Sequence, residues 1–139
     1  MSQNSKIFRS ERLCEEGAIR RARAFLEDYQ RATDLLSLYE CEQNDRSGLP
    51  GVRFSASQEE RTQQVSLWRA RAREILQMLE EIPSYREKML LHYHYILGYS
   101  VESAAEAMDI SRSSAFRLKK CGLELMAYLL AQRDGQRAS

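Results

Sequence analysis

Between Val101 and Lys120 the chain reads Val-Glu-Ser-Ala-Ala-Glu-Ala-Met-Asp-Ile-Ser-Arg-Ser-Ser-Ala-Phe-Arg-Leu-Lys-Lys, and this stretch restricts the fold more tightly than any other. Two short helices can cross at close quarters only where their facing side chains are apolar or small. Ala104, Met108, Ile110, Ala115 and Leu118 stand at the positions such a crossing buries, and Ala105 stands where the two backbones come nearest. Ser111 suits the start of the second helix, because its hydroxyl can accept an orphan backbone N–H. The outward positions of that helix, Arg112, Ser113, Ser114, Phe116, Arg117, Lys119 and Lys120, are polar, basic or aromatic. The pattern predicts a helix-turn-helix, a motif that presents its second helix to the major groove of DNA. Asp109 occupies the turn position where glycine is usual, and Asp tolerates the left-handed backbone better than most residues. Amphipathic helices with a polar turn also occur in ordinary helical cores, which is the competing reading of the same residues.

Charge points the same way, but only locally. The formal net charge is +1, which by itself suggests no acidic partner. From Ile110 to Leu123, however, Arg112, Arg117, Lys119 and Lys120 meet no acidic residue, while Glu102, Glu106 and Asp109 precede them. A patch this small makes few phosphate contacts, so tight binding requires a second copy or a larger complex. No run approaches the eighteen or so consecutive apolar residues of a membrane helix. Met1 to Arg12 has no apolar signal region, so the expected location is the cytoplasm. Cys14, Cys41 and Cys121 are too scattered for a zinc site and read as buried or half-buried free thiols. His92 and His94, two apart on a helix, point about 200° from each other and do not suit one metal.

Upstream the chain is helical throughout. Ala18, Ala22, Phe25, Tyr29, Ala32, Leu36 and Tyr39 step by fours and threes, a coiled-coil seam on a helix expected from about Ser10 to Glu42. Gly17 is a candidate bend or start. Gln43 to Ser57 carries Gly48, Pro50 and Gly51 and reads as a loop. Ser57 and Glu60 have capping-box spacing, and Val65, Trp68, Ala72, Ile75, Leu79 and Ile82 form a second seam. Two seams joined by a loop predict an antiparallel hairpin, with pairing between chains as the alternative. After Pro83 a helix is expected over Ser84 to Leu97, with Met89, Leu90, Tyr93, Ile96 and Leu97 inward, Gly98 ending it and Ser100 capping the next. Leu123, Met126, Leu129 and Leu130 extend the last helix to about Ala131, and Asp134 to Ser139 reads as a frayed tail. The expected fold is thus all-α: a helical hairpin over residues 1–82 with its loop at 43–57, a helix-turn-helix domain over 83–131 and a tail over 132–139.

The run from Ile82 to Leu130 resembles region 4 of bacterial sigma factors. It has a Pro-led helix, a Gly-Tyr-Ser break at 98–100, a short helix with paired alanines, and an Ile-Ser-Arg-Ser entry into a basic helix. The ending Ser-Ser-Ala-Phe-Arg-Leu-Lys-Lys is most similar to phage late transcription regulators of the ArpU/RinA type, and the order of long helix, Gly48-Leu-Pro-Gly51 loop and second helix fits that group loosely. The resemblance implies a phage-type activator of late genes, with double-stranded DNA as ligand and RNA polymerase and a second copy of the chain as candidate partners. Asp109 and the Cys121-Gly122 pair depart from the group's pattern, and Gly122 is expected to weaken the end of the second helix. No segment resembles the core-binding regions of a complete sigma factor.

Geometry assigns roles within the basic helix. Arg112, Ser113, Phe116, Arg117 and Lys120 project on successive turns, where Arg can read guanine O6 and N7 and Ser can bond a base or a phosphate. Phe116 is expected either to touch a thymine methyl or to fold back on Met108 or Leu90. Lys119 and Lys120 suit phosphates, as do the hydroxyls of Ser113 and Ser114 near the helix start. No Ser-His-Asp set, phosphate-binding glycine loop or metal spacing suggests an enzyme, a cofactor or a small-molecule substrate. Two other functions fit the pattern: a DNA-packaging protein like a small terminase subunit, and a helical adaptor that only mimics the motif.

Overall fold

The computed structural model describes residues 2–45 and 58–138, with side chains over 16–41 and 59–135. The described chain is all-α. Its elements are α1 (Ser2–Asp45), α2 (Gln58–Glu80), α3 (Tyr85–Leu91) continued by a π turn (His92–Ile96), α4 (Val101–Met108) and α5 (Arg112–Ala138). Helix α1 begins well before Ser10 and runs straight through Gly17, because one glycine without a packing role costs a helix only about 1 kcal/mol. It also takes in Gln43 to Asp45, expected in the loop. Ser57 and the rest of that loop lie outside the described residues, as does the side chain of Cys14.

The main core joins every long element. Ala22, Phe25 and Leu26 of α1, Ile75, Met78 and Leu79 of α2, Ile82, Leu91, Tyr95, and Leu123, Met126, Ala127 and Leu130 of α5 form one buried cluster. The C-terminal half of α2 meets the middle of α1. Of the α1 seam, Ala22, Phe25 and Ala32 are buried, whereas Ala18, Tyr29, Leu36 and Tyr39 are half-buried. Leu26, fully buried, lies beside that seam rather than on it. Helix α1 is gripped on two sides, by α2 and by α5 with the π turn, so it buries a wider stripe than a two-helix coil does. Burial of each such Leu, Ile or Phe side chain stabilises the fold by about 1.5–3 kcal/mol. The boundary expected between residues 82 and 83 therefore corresponds to no division in packing, since this core draws on both sides of it.

Three further expectations are corrected. Leu97 is not an inner residue but 52% exposed. The π turn, closed by Leu97 N–H donating to the His92 carbonyl at 3.0 Å, inserts a residue into the helical register and rotates the residues beyond it. Leu91 and Tyr95 are buried in its place. Of the tail expected over 132–139, with Asp134 to Ser139 frayed, the described residues up to Ala138 continue α5. Arg133 there pairs with Glu74 and lies 5.5 Å from the centre of the Phe25 ring, which Arg71 also approaches at 4.6 Å. At Arg133 the contact with α2 is therefore made by charge. Lastly, Cys41 is exposed rather than buried or half-buried, whereas Cys121 is half-buried. No described helix is long and apolar enough to cross a membrane.

Candidate nucleic-acid interface

A second, smaller cluster underlies the basic segment. Leu90, Val101, Ala104, Ala105 and Ala115 are buried together, with Tyr93, Met108, Ile110 and Leu118 packed around them. Three alanines at its centre let α4 and the start of α5 approach closely. Both helices begin with the same device. The Ser100 hydroxyl accepts the Ser103 N–H at 3.1 Å and donates to the Ser103 hydroxyl at 2.9 Å, and Ser111 treats Ser114 identically at 3.1 and 2.9 Å. Between them Asp109 takes the left-handed conformation, φ 57° and ψ 47°. Its N–H donates to the Glu106 carbonyl at 3.2 Å, and the Ile110 N–H donates to the Ala105 carbonyl at 3.0 Å. This is the Schellman closure, with Ile110 and Ala105 in the same apolar cluster. A short Asp side chain thus serves where glycine is usual.

The approach to α4 is also fixed. Gly98 has φ +79° and ends the π turn. His94 Nδ1 lies 2.7 Å from the Tyr99 carbonyl, and the Tyr93 and Tyr99 rings stack with centroids 5.4 Å apart. Gln30 of α1 donates to the carbonyls of Ile96 at 2.8 Å and Tyr95 at 3.2 Å. This tie sets the small cluster at a defined angle to the long helix. It joins residues more than sixty apart, and nothing in the local pattern around Gln30 signals it.

The structure brings the candidate residues onto one segment of α5 but does not expose them equally. Arg112, Ser113, Phe116, Arg117 and Lys120 are exposed, as is the cap Ser111, while Ser114 is half-buried. Phe116 faces solvent at 44% exposure instead of folding under α4. Lys119 turns toward the body of the protein and is half-buried. Burial holds its pKa below the ordinary lysine value, and the charge of Arg23 on α1 lowers it further, against Glu27 and Glu102. Lys119 is therefore poorly placed for a phosphate, whereas Lys120 points outward.

Glu102, which the sequence shows only as one of the acidic residues preceding the basic run, is a participant. Its Oε1 lies 3.2 Å from Arg112 Nη2, and the Arg112 guanidinium carbon lies 5.6 Å from the centre of the Phe116 ring. The ten-residue separation of Glu102 and Arg112 carries no periodic signal, because the turn intervenes. Among the described residues, no group of three or more His, Cys, Asp and Glu is arranged to hold a metal ion. No protein-family model, curated protein or solved structure matches this chain.

Proposed function

We propose that the protein is a sequence-specific, double-stranded-DNA-binding transcription regulator, a binding protein rather than an enzyme. The observation that carries this reading is the exposure of Arg112, Arg117 and Lys120 together on a Ser111-capped helix, held away from the main core by a crossing built of alanines. Exposed cations at the start of a helix also add to its positive end, which favours phosphate. Such a segment fits the major groove, with Arg112 and Arg117 toward base edges and Lys120 toward the backbone. The resemblance to sigma region 4 and to ArpU/RinA-type regulators refines the proposal to a cytoplasmic, phage-type activator of late genes that contacts RNA polymerase.

Selection of bound duplexes from a random pool, followed by gel shift across a salt titration, tests it. A consensus is expected to emerge. Arg112→Ala then costs about 1–3 kcal/mol on the selected site, whereas Lys120→Ala weakens all duplexes alike and lowers the salt slope by about 1. Binding that shows no consensus and no loss in either variant overturns the reading.

A second reading rests on Leu38 of α1 and Leu67 of α2, which are 62% and 68% exposed. Large apolar side chains left outside favour self-association, as a ring-forming packaging protein would require. Mass measurement in solution separates the two: a dimer or monomer supports the regulator, and a closed ring of many subunits supports packaging.

A further inference from the structure

We infer that Glu102 is the positioning residue that makes Arg112 a selective reader of guanine; this rests on the DNA-binding reading above. Arg112 sits on the first turn of α5, with its side chain 72% exposed. A long cation so exposed samples many rotamers and binds any phosphate it meets. Here it is restrained from two sides: Glu102 Oε1 stands 3.2 Å from its Nη2, and the face of Phe116 lies under the guanidinium carbon at 5.6 Å. The ion pair engages one nitrogen of a group that carries five N–H donors, so a bidentate approach to guanine O6 and N7 stays open. Both restraining residues stand on the elements that fix the crossing: Glu102 on the first turn of α4, capped by Ser100, and Phe116 next to buried Ala115.

An ion pair at the surface contributes little to folding. Its consequence lies in recognition. A carboxylate at the rim of the groove is repelled by the phosphates of every duplex, so Glu102 lowers affinity across the board. It also withholds Arg112 from phosphates and aims it at a base edge, where guanine alone offers two acceptors in the matching geometry. Glu102 thus exchanges general affinity for discrimination at one base pair. Glu106, on the same short helix and also exposed, carries an equal charge but has no such relation to the first residue of α5 and serves as its control.

The test compares the purified full chain with its Glu102→Gln, Glu106→Gln and Arg112→Ala variants and the Glu102→Gln/Arg112→Ala double variant. Each is titrated with a duplex selected from a random pool, with that duplex altered one base pair at a time, and with an unrelated duplex of equal length. Glu102→Gln is expected to tighten binding to the unrelated duplex about two- to fivefold while reducing the preference for guanine at one position about tenfold. Arg112→Ala removes the preference at that same position, about five- to hundredfold, and the double variant loses no more than Arg112→Ala alone. Glu106→Gln tightens binding to every duplex equally. If Glu102→Gln instead matches Glu106→Gln, with the preference intact, the positioning role is overturned while DNA binding stands. If Arg112→Ala leaves all duplexes bound as before, the base-reading assignment itself fails, and this inference with it.

Discussion

The main core and the small cluster beneath α4 are built in opposite ways. The first is filled by bulk, with Leu26, Ile75, Leu79, Leu91 and Met126 all but fully buried between four helices. The second is defined by smallness, with Ala104, Ala105 and Ala115 letting two helices nearly touch. A bulky core makes the scaffold stable, whereas a core of alanines contributes little area but sets the distance and angle at which α5 is presented. The two share elements rather than a linker. Leu90 of α3 belongs to the small cluster and Leu91 to the large one, and α5 serves the small cluster through Ala115 and the large one through Leu123.

If this contrast is right, the two cores fail to opposite substitutions. Ile75→Ala leaves a hole in the main core and is expected to cost about 2–5 kcal/mol, measured by chemical denaturation. DNA affinity of the fraction that stays folded should be nearly unchanged. Ala105→Leu fills the space where α4 and α5 cross, and is expected to cost about 1–3 kcal/mol. Its effect on DNA binding should exceed its effect on stability, because the start of α5 is displaced. Equal losses of binding per unit of stability in both variants would show that the small cluster has no separate role in presentation.

Beside the main core, α3 and α5 come close together at Gly122. A Cβ built there would lie 2.9 Å from Leu91 Cδ1 and 3.0 Å from its Cγ, and Leu91 is fully buried. The glycine, expected to weaken the helix, instead permits α3 and α5 to cross in the middle of an unbroken α5. Gly122→Ala should therefore destabilise by about 1 kcal/mol, despite alanine's better helix propensity. In a Leu91→Ala background the clash is gone, and the same change should become stabilising. A stabilising effect in both backgrounds would mean that the crossing has room to spare.

Much of this is legible in the residues, and where it is not the reason is physical. Ser100, Gly98, Asp109, Ser111 and Ala105 act through local geometry, and local pattern is what a sequence displays. Leu26 and Met78 escape a seam reading because a heptad seam describes two helices, whereas α1 and α2 each meet further elements. Leu97 defeats it because one π turn shifts the register, and no residue type announces such a turn. Within the candidate interface, the capped helix and its exposed cations agree with the spacing. The inward turn of Lys119 and the Glu102–Arg112 pair depend on α1 and α4 standing where tertiary packing puts them.

The faintest expected effect lies where the two cores adjoin α1. Tyr95, in the main core, has a buried hydroxyl near Arg23 and Glu27, and burial raises its pKa above 10.0, with Arg23 offsetting this only in part and Glu27 adding to it. Lys119, at the edge of the small cluster, has its pKa lowered from 10.5 by burial and by Arg23. The signs oppose. For Tyr95 the unfolded chain ionises first, so its stabilising contribution is present below pH 10.0 and is lost as pH rises through the folded value. For Lys119 the folded chain releases its proton first, so the penalty of holding a half-buried ammonium persists at neutral pH and is relieved as pH climbs toward 10.5. In urea melts taken from about pH 8 to 11, Tyr95→Phe should leave a curve that rises relative to the parent, and Lys119→Met one that falls. The pH slopes of the two differences should have opposite signs; if they share a sign, the inward placement of Lys119 against α1 is wrong, and Lys119 returns to the outward basic face with Lys120.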